Sequence, residues 1–353
     1  MTVIDVDTHW EVDRFAPGEH PLEPWIDRFP EGVERLANGI AGDLLDALPP
    51  GRRPNGRDLL PGLVRLAESR GGPVILHPQH ESGPAERIGW MDSVGIDHCL
   101  VNPGGYWQLL EFLPPAERPD GVRRINDWLA EQLADGAHRL HGVASIDATD
   151  LHVAAAELER ARARGHRAFF LYTKQGRPPG DVPPGHPAWD IVWAAACDLG
   201  MLASIHVGNT PTDFTGWADI GWDQPGGAGV GGLTRLANTQ RIHAAQNLLC
   251  SMLYGGAFDR FPGLTVVLSE MKIAWLPSFV DMCARQAASS FALGDWPFDV
   301  SGGDMLRRNV KFTPLPGFGD VDAIDVIGAL PEMALFSSDY PHHEGNADPI
   351  NLY

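Results

Sequence analysis

The chain has 353 residues, 44% of them hydrophobic and 21% charged, with a formal net charge of -19 and a sequence pI near 5.0. This composition is that of a folded protein with a large core. The acidity excludes the basic footprint that nucleic acid or an anionic membrane would require. No apolar run reaches membrane-spanning length. Cys99, Cys197, Cys250 and Cys283 form no CxxC pair, so reduced thiols in a cytoplasmic protein are expected.

The opening stretch VIDVDTHWEV (residues 3–12) reads as a strand. Its two-residue period puts Val3, Asp5, Asp7, His9 and Glu11 on one face. A charged stripe there suits a solvated edge or a metal site. Residues 14–83, rich in Pro and Gly, form a long insertion after it. Further strands are predicted at 97–102, 140–146, 167–172, 201–207, 264–270, 309–313 and 333–339.

Helices are expected between these strands. Asp150 caps a helix that stops at Gly165, Pro187 opens one that ends at Gly200, and Thr239 caps one that stops at Gly255–Gly256. A second insertion, 208–236, follows the fifth strand. Its Trp217 and Trp222 suit a lid over a substrate, or simple packing on the rim. Strands alternating with helices predict a parallel sheet closed into a (β/α)8 TIM barrel, one domain over residues 1–353. Both insertions then lie at the C-terminal face, where barrel active sites are built. The sequence stops soon after the eighth strand, so either the chain is truncated or something other than a last helix covers the first strand.

In such a barrel the strand tips face one axis. The first offers Asp7, His9 and Glu11, the fifth His206, the sixth Glu270, and the eighth Asp339, His342 and His343. Val266, Leu268 and Glu270 are expected to alternate on the inward face, as are Ser337 and Asp339. Any one of these polar groups buried alone would be costly, and their convergence predicts a metal site. Lys174 is read as a solvated lysine beyond the fourth strand.

The stretches DVDTH, RINDWLAEQLADGAHRLHGVASI, WAAACDLGMLASIHVG, NLLCSMLYGGAFDRFPGLTVVLSEMKIAWLPSFVDM and SSDYPHHEG resemble the amidohydrolase-related branch of the metal-dependent hydrolase barrels, over nearly the whole chain. The resemblance implies metal ligands on strands one, five and eight, here Asp7, His9, His206 and Asp339. Many members carry H-x-H on strand one where this chain has D-x-H. Decarboxylases of the family have an acidic residue there and bind one divalent metal.

The donors Asp7, Glu11, Glu270, Asp339, His9, His206 and His342 (or His343) exceed the four that a tetrahedral zinc needs. The surplus suggests two metals, or one with many supporting residues. On that count the chain looks closest to the TIM-barrel non-heme diiron monooxygenases of platensimycin and platencin biosynthesis. The expected activity is then hydroxylation of an unactivated C–H bond in a bulky apolar, diterpenoid-type substrate. It would use two Fe ions, O2 and a partner reductase, since no flavin or nicotinamide motif is evident. The alternative is a hydrolase or decarboxylase with one Zn or Mn, Asp339 serving as general base and Glu270 as general acid. A barrel that has lost its chemistry fits poorly with polar residues at every expected tip. A homo-oligomer is left open.

Overall fold

The computed structural model describes residues 2–10, 20–26, 28, 83–104, 110, 113–171, 178–206, 235–288, 294–315, 322–342 and 349–352. The expected Glu11, Lys174, Trp217, Trp222 and His343, with nearly all of both insertions, lie outside the described residues.

Seven strands pair in chain order, every neighbour parallel: β1 (Ile4–His9), β2 (His98–Asn102), β3 (Leu140–Ala144), β4 (Ala168–Phe170), β5 (Leu202–His206), β6 (Val266–Ser269) and β7 (Val310–Thr313). Residues 334–340 take the eighth position. On one side Ala334 bridges Phe312 of β7, and the Leu335 N–H donates to the Phe312 carbonyl at 2.9 Å. On the other side the Val6 N–H donates to the Phe336 carbonyl at 3.1 Å, the Asp339 N–H to that of Asp7 at 3.0 Å, and the His9 N–H to that of Tyr340 at 2.7 Å. The ring therefore closes, and the fold is the expected TIM barrel.

Parallel neighbours need crossover connections, and helices supply them. They are α1 (Glu23–Ile26), α2 (Pro84–Val94), α3 (Arg118–Gln132), α4 (Leu151–Ala163), α5 (Asp190–Leu199), α6 (Arg235–Tyr254), α7 (Ala257–Arg260), α8 (Leu276–Gln286), α9 (Gly302–Asn309) and α10 (Ala323–Ala329). The Asp150 carboxylate caps α4 as predicted, accepting from the N–H groups of His152 and Val153 at 3.0 and 3.1 Å. Pro187 opens a 3-10 turn that runs into α5, and Gly200 ends that helix at φ 61°, where a Cβ would be strained. Thr239 is not a cap. It lies exposed inside α6, which starts at Arg235; a helix tolerates an interior Thr at a cost of a few tenths of a kcal/mol.

Ala203, Ile205, Val266, Leu268 and Phe312 pack outward against Val192, Trp193, Val280 and Met305 of the helices. This reverses the expected parity of β6: Val266 and Leu268 belong to the helix-side core, not to the barrel interior. A second core gathers Met91, Cys99, Val101, Leu129 and Leu140, with Val3, Phe336 and Ile350 at its edge. The turn Pro349–Leu352 thus helps cover the junction of β1 and the closing segment. All four cysteines are free thiols, Cys99 and Cys283 buried. Among the described residues no helix is long and apolar enough to cross a membrane.

Among the described glycines, Gly185 marks the closest backbone approach. A Cβ there would lie 1.8 Å from the Ser251 carbonyl oxygen, a rigid part of α6. Gly185→Ala is expected to cost about 3 kcal/mol or more by overpacking, read as a lower denaturation midpoint with metal binding unchanged in the folded fraction.

Candidate metal centre

The register of β1 explains how its polar residues are distributed. Asp5 opposes Cys99, whereas Thr8 and His9 oppose Val101 and Asn102, so β1 holds an extra residue between Asp5 and Thr8. Such a bulge shifts the alternation and re-aims side chains next to active sites. The single stripe expected from strand period is therefore interrupted. Asp7 and His9 reach the centre, while Asp5 spends its carboxylate on backbone N–H groups.

Two further backbone departures bring in the other acids. Glu270 follows β6 at φ 57° and Asp339 sits in the closing segment at φ 56°, both in the left-handed region rarely used by residues with a Cβ. For Glu270 this offsets the outward parity of Val266 and Leu268. Its Oε1 ends 3.5 Å from His206 Nε2 and 4.0 Å from His9 Nε2.

The remaining distances are short. His206 Nε2 is 3.3 Å from Asp7 Oδ1. His9 Nε2 is 3.2 Å from Asp339 Oδ1 and 3.7 Å from Asp7 Oδ1. His342 Nδ1 is 3.0 Å from Asp339 Oδ1, and its ring stacks on His9 with centroids 3.9 Å apart. The donor atoms of His9, Glu270, Asp339 and His342 lie within 4.8 Å of one another, as do those of Asp7, His9 and His206. The structure thus brings together Asp7, His9, His206, Glu270, Asp339 and His342 of the predicted set.

These residues fit a divalent cation on an internal test. Asp7 Oδ2, His9 Nε2, Glu270 Oε1 and both Asp339 oxygens are buried yet make no hydrogen bond among the described residues. Buried polar atoms are rarely left so, and donor atoms crowded together without bonding one another are aimed at a common point. Electrostatics agrees. Burial, then the charge of Asp339, pushes the Glu270 carboxyl well above its usual range. Burial also opposes charge on Asp339, but His342 and His9 outweigh it and hold that carboxyl low. Burial, then His342, lowers the His9 imidazole, which keeps it neutral as a ligand must be.

Supporting residues that the sequence reading missed surround this set. Asn102 Nδ2 donates to Asp7 Oδ1 at 2.7 Å; a polar residue ending the apolar run HCLVN was the available signal. Arg87, buried in α2, donates to the His9 carbonyl at 2.6 Å and lies 4.5 Å over the Tyr340 ring. Nothing in its sequence neighbourhood marks it. Outer partners of metal ligands typically control 10–100-fold in affinity, so Asn102→Ala is expected to weaken Mn2+ binding by about that factor, measured by calorimetric titration.

Comparison with known proteins places these observations. The family profile described as Amidohydrolase matches residues 105–349. A gamma-resorcylate decarboxylase of Polaromonas sp. JS666 is 25% identical over 267 residues, covering 72% of this chain and 76% of that protein. The 5-carboxyvanillate decarboxylase of Sphingomonas paucimobilis superposes with TM-score 0.67 at 19% identity, over 99% of this chain and 92% of that one. A dihydroxybenzoic acid decarboxylase of Polaromonas sp. JS666, with bound manganese and the inhibitor 2-nitroresorcinol, gives TM-score 0.61 at 20% identity over 99% and 91% of the two chains.

The diiron monooxygenase expectation is overturned by these relatives, which are decarboxylases, one of them manganese-bound. With it fall the oxidoreductase assignment, the two Fe ions and the need for O2 and a reductase. The geometry agrees: among the described residues the two donor groups share His9, so Asp7, Glu270 and Asp339 crowd one centre, and Glu11, the fourth carboxylate of the expected surplus, lies outside the described residues. The chain belongs to the amidohydrolase family.

Proposed function

We propose that the protein is a redox-neutral decarboxylase, dependent on one divalent cation, that acts on a hydroxylated aromatic carboxylic acid. The observation carrying this reading is geometric: Glu270 Oε1 stands 3.5 Å from His206 Nε2 and 4.0 Å from His9 Nε2, Asp339 Oδ1 stands 3.2 Å from the same His9 nitrogen, and both acids keep buried oxygens without a hydrogen bond among the described residues. With Glu270 raised and Asp339 held low, the two acids can divide their tasks, one ionised and one holding a proton. The decarboxylase relatives support it, including the manganese and nitroresorcinol named for one of them.

Asp7, His9, His206 and Asp339 would hold the cation, with His342 as a further neighbour. When bound, the cation supplies a Lewis-acid anchor for the oxygens of the substrate's carboxylate and adjacent hydroxyl. Glu270 holds the proton and delivers it to the ring carbon that bears the carboxylate. The bond from that carbon to the carboxylate then breaks, its electron pair restores the aromatic ring, and CO2 leaves. No oxidant or reductant enters the balance. The Phe170 ring, edge-on to His206 with centroids 6.0 Å apart, offers an apolar wall against which an aromatic acid can pack.

The test is release of CO2 from 2,6-dihydroxybenzoate and 5-carboxyvanillate by the Mn2+-loaded protein in D2O, with the product examined for deuterium. Deuterium at the vacated ring carbon is expected. Hydrolysis of amides or esters without CO2 release from any hydroxybenzoate would overturn the proposal in favour of a hydrolase.

A further inference from the structure

We infer that Asp5 is a positioning residue for the metal centre: its Oδ1 ties β1 to the closing segment and so holds Asp7 and Asp339 in register with each other. The inference rests on the reading that those two residues hold a cation.

A fully buried carboxylate is an expensive choice for the second residue of a barrel strand. Its use is visible in its bonds. Oδ1 accepts from the Asp7 N–H at 3.2 Å and from the Ser338 N–H at 3.1 Å. The first donor belongs to a proposed ligand, and the second immediately precedes one. The adjacent Asp339 N–H donates to the Asp7 carbonyl at 3.0 Å. Consecutive N–H groups of the closing segment are thus fastened to β1 around the bulge, one of them by the Asp5 side chain.

That fastening matters because of the conformation it holds. Asp339 lies at φ 56°, and a residue with a Cβ stays in that region only where its surroundings over-determine it. Before Asp339 the constraint is the Asp5–Ser338 bond; after it, the His342 N–H donates to the Asp339 carbonyl at 2.9 Å. Without the Asp5 acceptor, the segment loses one of the bonds that hold this conformation, and the Asp339 carboxylate is less firmly placed against His9. What Asp5 supplies is an acceptor oxygen in a given place, and an Asn in the same rotamer supplies it too.

The experiment measures the Mn2+ dissociation constant by electron paramagnetic resonance of the free ion, for wild type, Asp5→Asn and Asp5→Ala. Val280→Ala, a cavity in the helix-side core, serves as a control for lost stability alone. Asp5→Ala is expected to raise the constant about 10–100-fold, the usual range for outer partners of ligands, with Asp5→Asn staying within about threefold of wild type. Val280→Ala should lower the melting temperature without moving the constant. A folded Asp5→Ala protein that binds Mn2+ like wild type overturns the inference, and so does an Asp5→Asn protein as weak as Asp5→Ala. Should Asp5→Ala not fold, Asp5→Ser takes its place under the same criteria, since its hydroxyl is one bond shorter than the carboxylate that holds both N–H groups. Failure of wild type itself to bind Mn2+ would refute the metal reading instead, so the two failures are distinct.

Discussion

Asp339→Asn should lower kcat for decarboxylation about 10³-fold or more, roughly 4 kcal/mol in the activation barrier. Asp339 stands where the histidines meet, 3.2 Å from His9 and 3.0 Å from His342, with neither carboxylate oxygen hydrogen-bonded among the described residues. The amide keeps the shape but removes the charge. It cannot neutralise a dication, and it presents an N–H2 to ligands that also need to face the ion. Because the negative charge of Asp339 helps push the Glu270 carboxyl up, the substitution also weakens the hold of Glu270 on its proton. Both metal content and kcat should therefore fall, with the fold retained by circular dichroism. A variant within tenfold of wild type would remove Asp339 from the reaction.

Removing the metal is the second large effect. Chelation should abolish turnover, and Mn2+ should restore it. The site brings the carboxylates of Asp7 and Asp339 to 3.7 and 3.2 Å from the same His9 nitrogen, so an ion that offsets their charge stabilises the folded state. At a free concentration about a thousand times the dissociation constant the gain is roughly 4 kcal/mol, a rise of about 5 °C in melting temperature for a chain of this size. The gain should shrink as pH falls, because ligands must shed protons to bind. A melting temperature indifferent to Mn2+ would contradict the assignment of the site.

Much of the barrel was legible because strand and crossover leave periodic traces. The apolar runs ending in Asn102, His206 and Thr313 became β2, β5 and β7, and the Asp150 and Gly200 boundaries appeared where cap chemistry put them. Period arguments failed where the backbone leaves its period. The bulge after Asp5 broke the stripe on β1, and the left-handed turn at Glu270 placed the right residue in the site for the wrong reason, since Val266 and Leu268 face the helices. The residues that gather at this centre were readable because buried acids and imidazoles are costly anywhere else. The number of ions was not, since stoichiometry depends on which donor atoms share a point in space. Asn102 and Arg87 work through single contacts at 2.7 and 2.6 Å made across strands, and such contacts leave no mark on local sequence.

Closure of the barrel by residues 334–340 against β1 has a consequence for how the protein acquires its metal. Asp7 and His9 leave the ribosome long before Asp339 and His342; the Asp5–Ser338 bond that joins the two segments spans 333 positions. Contacts so distant in sequence form late, after the chain between them has ordered. A nascent chain therefore offers at most part of the ligand set, and part of a set discriminates poorly among the ions of the cell. The choice of ion is deferred to the finished barrel, where donor geometry rather than the intrinsic order of affinities decides which one stays.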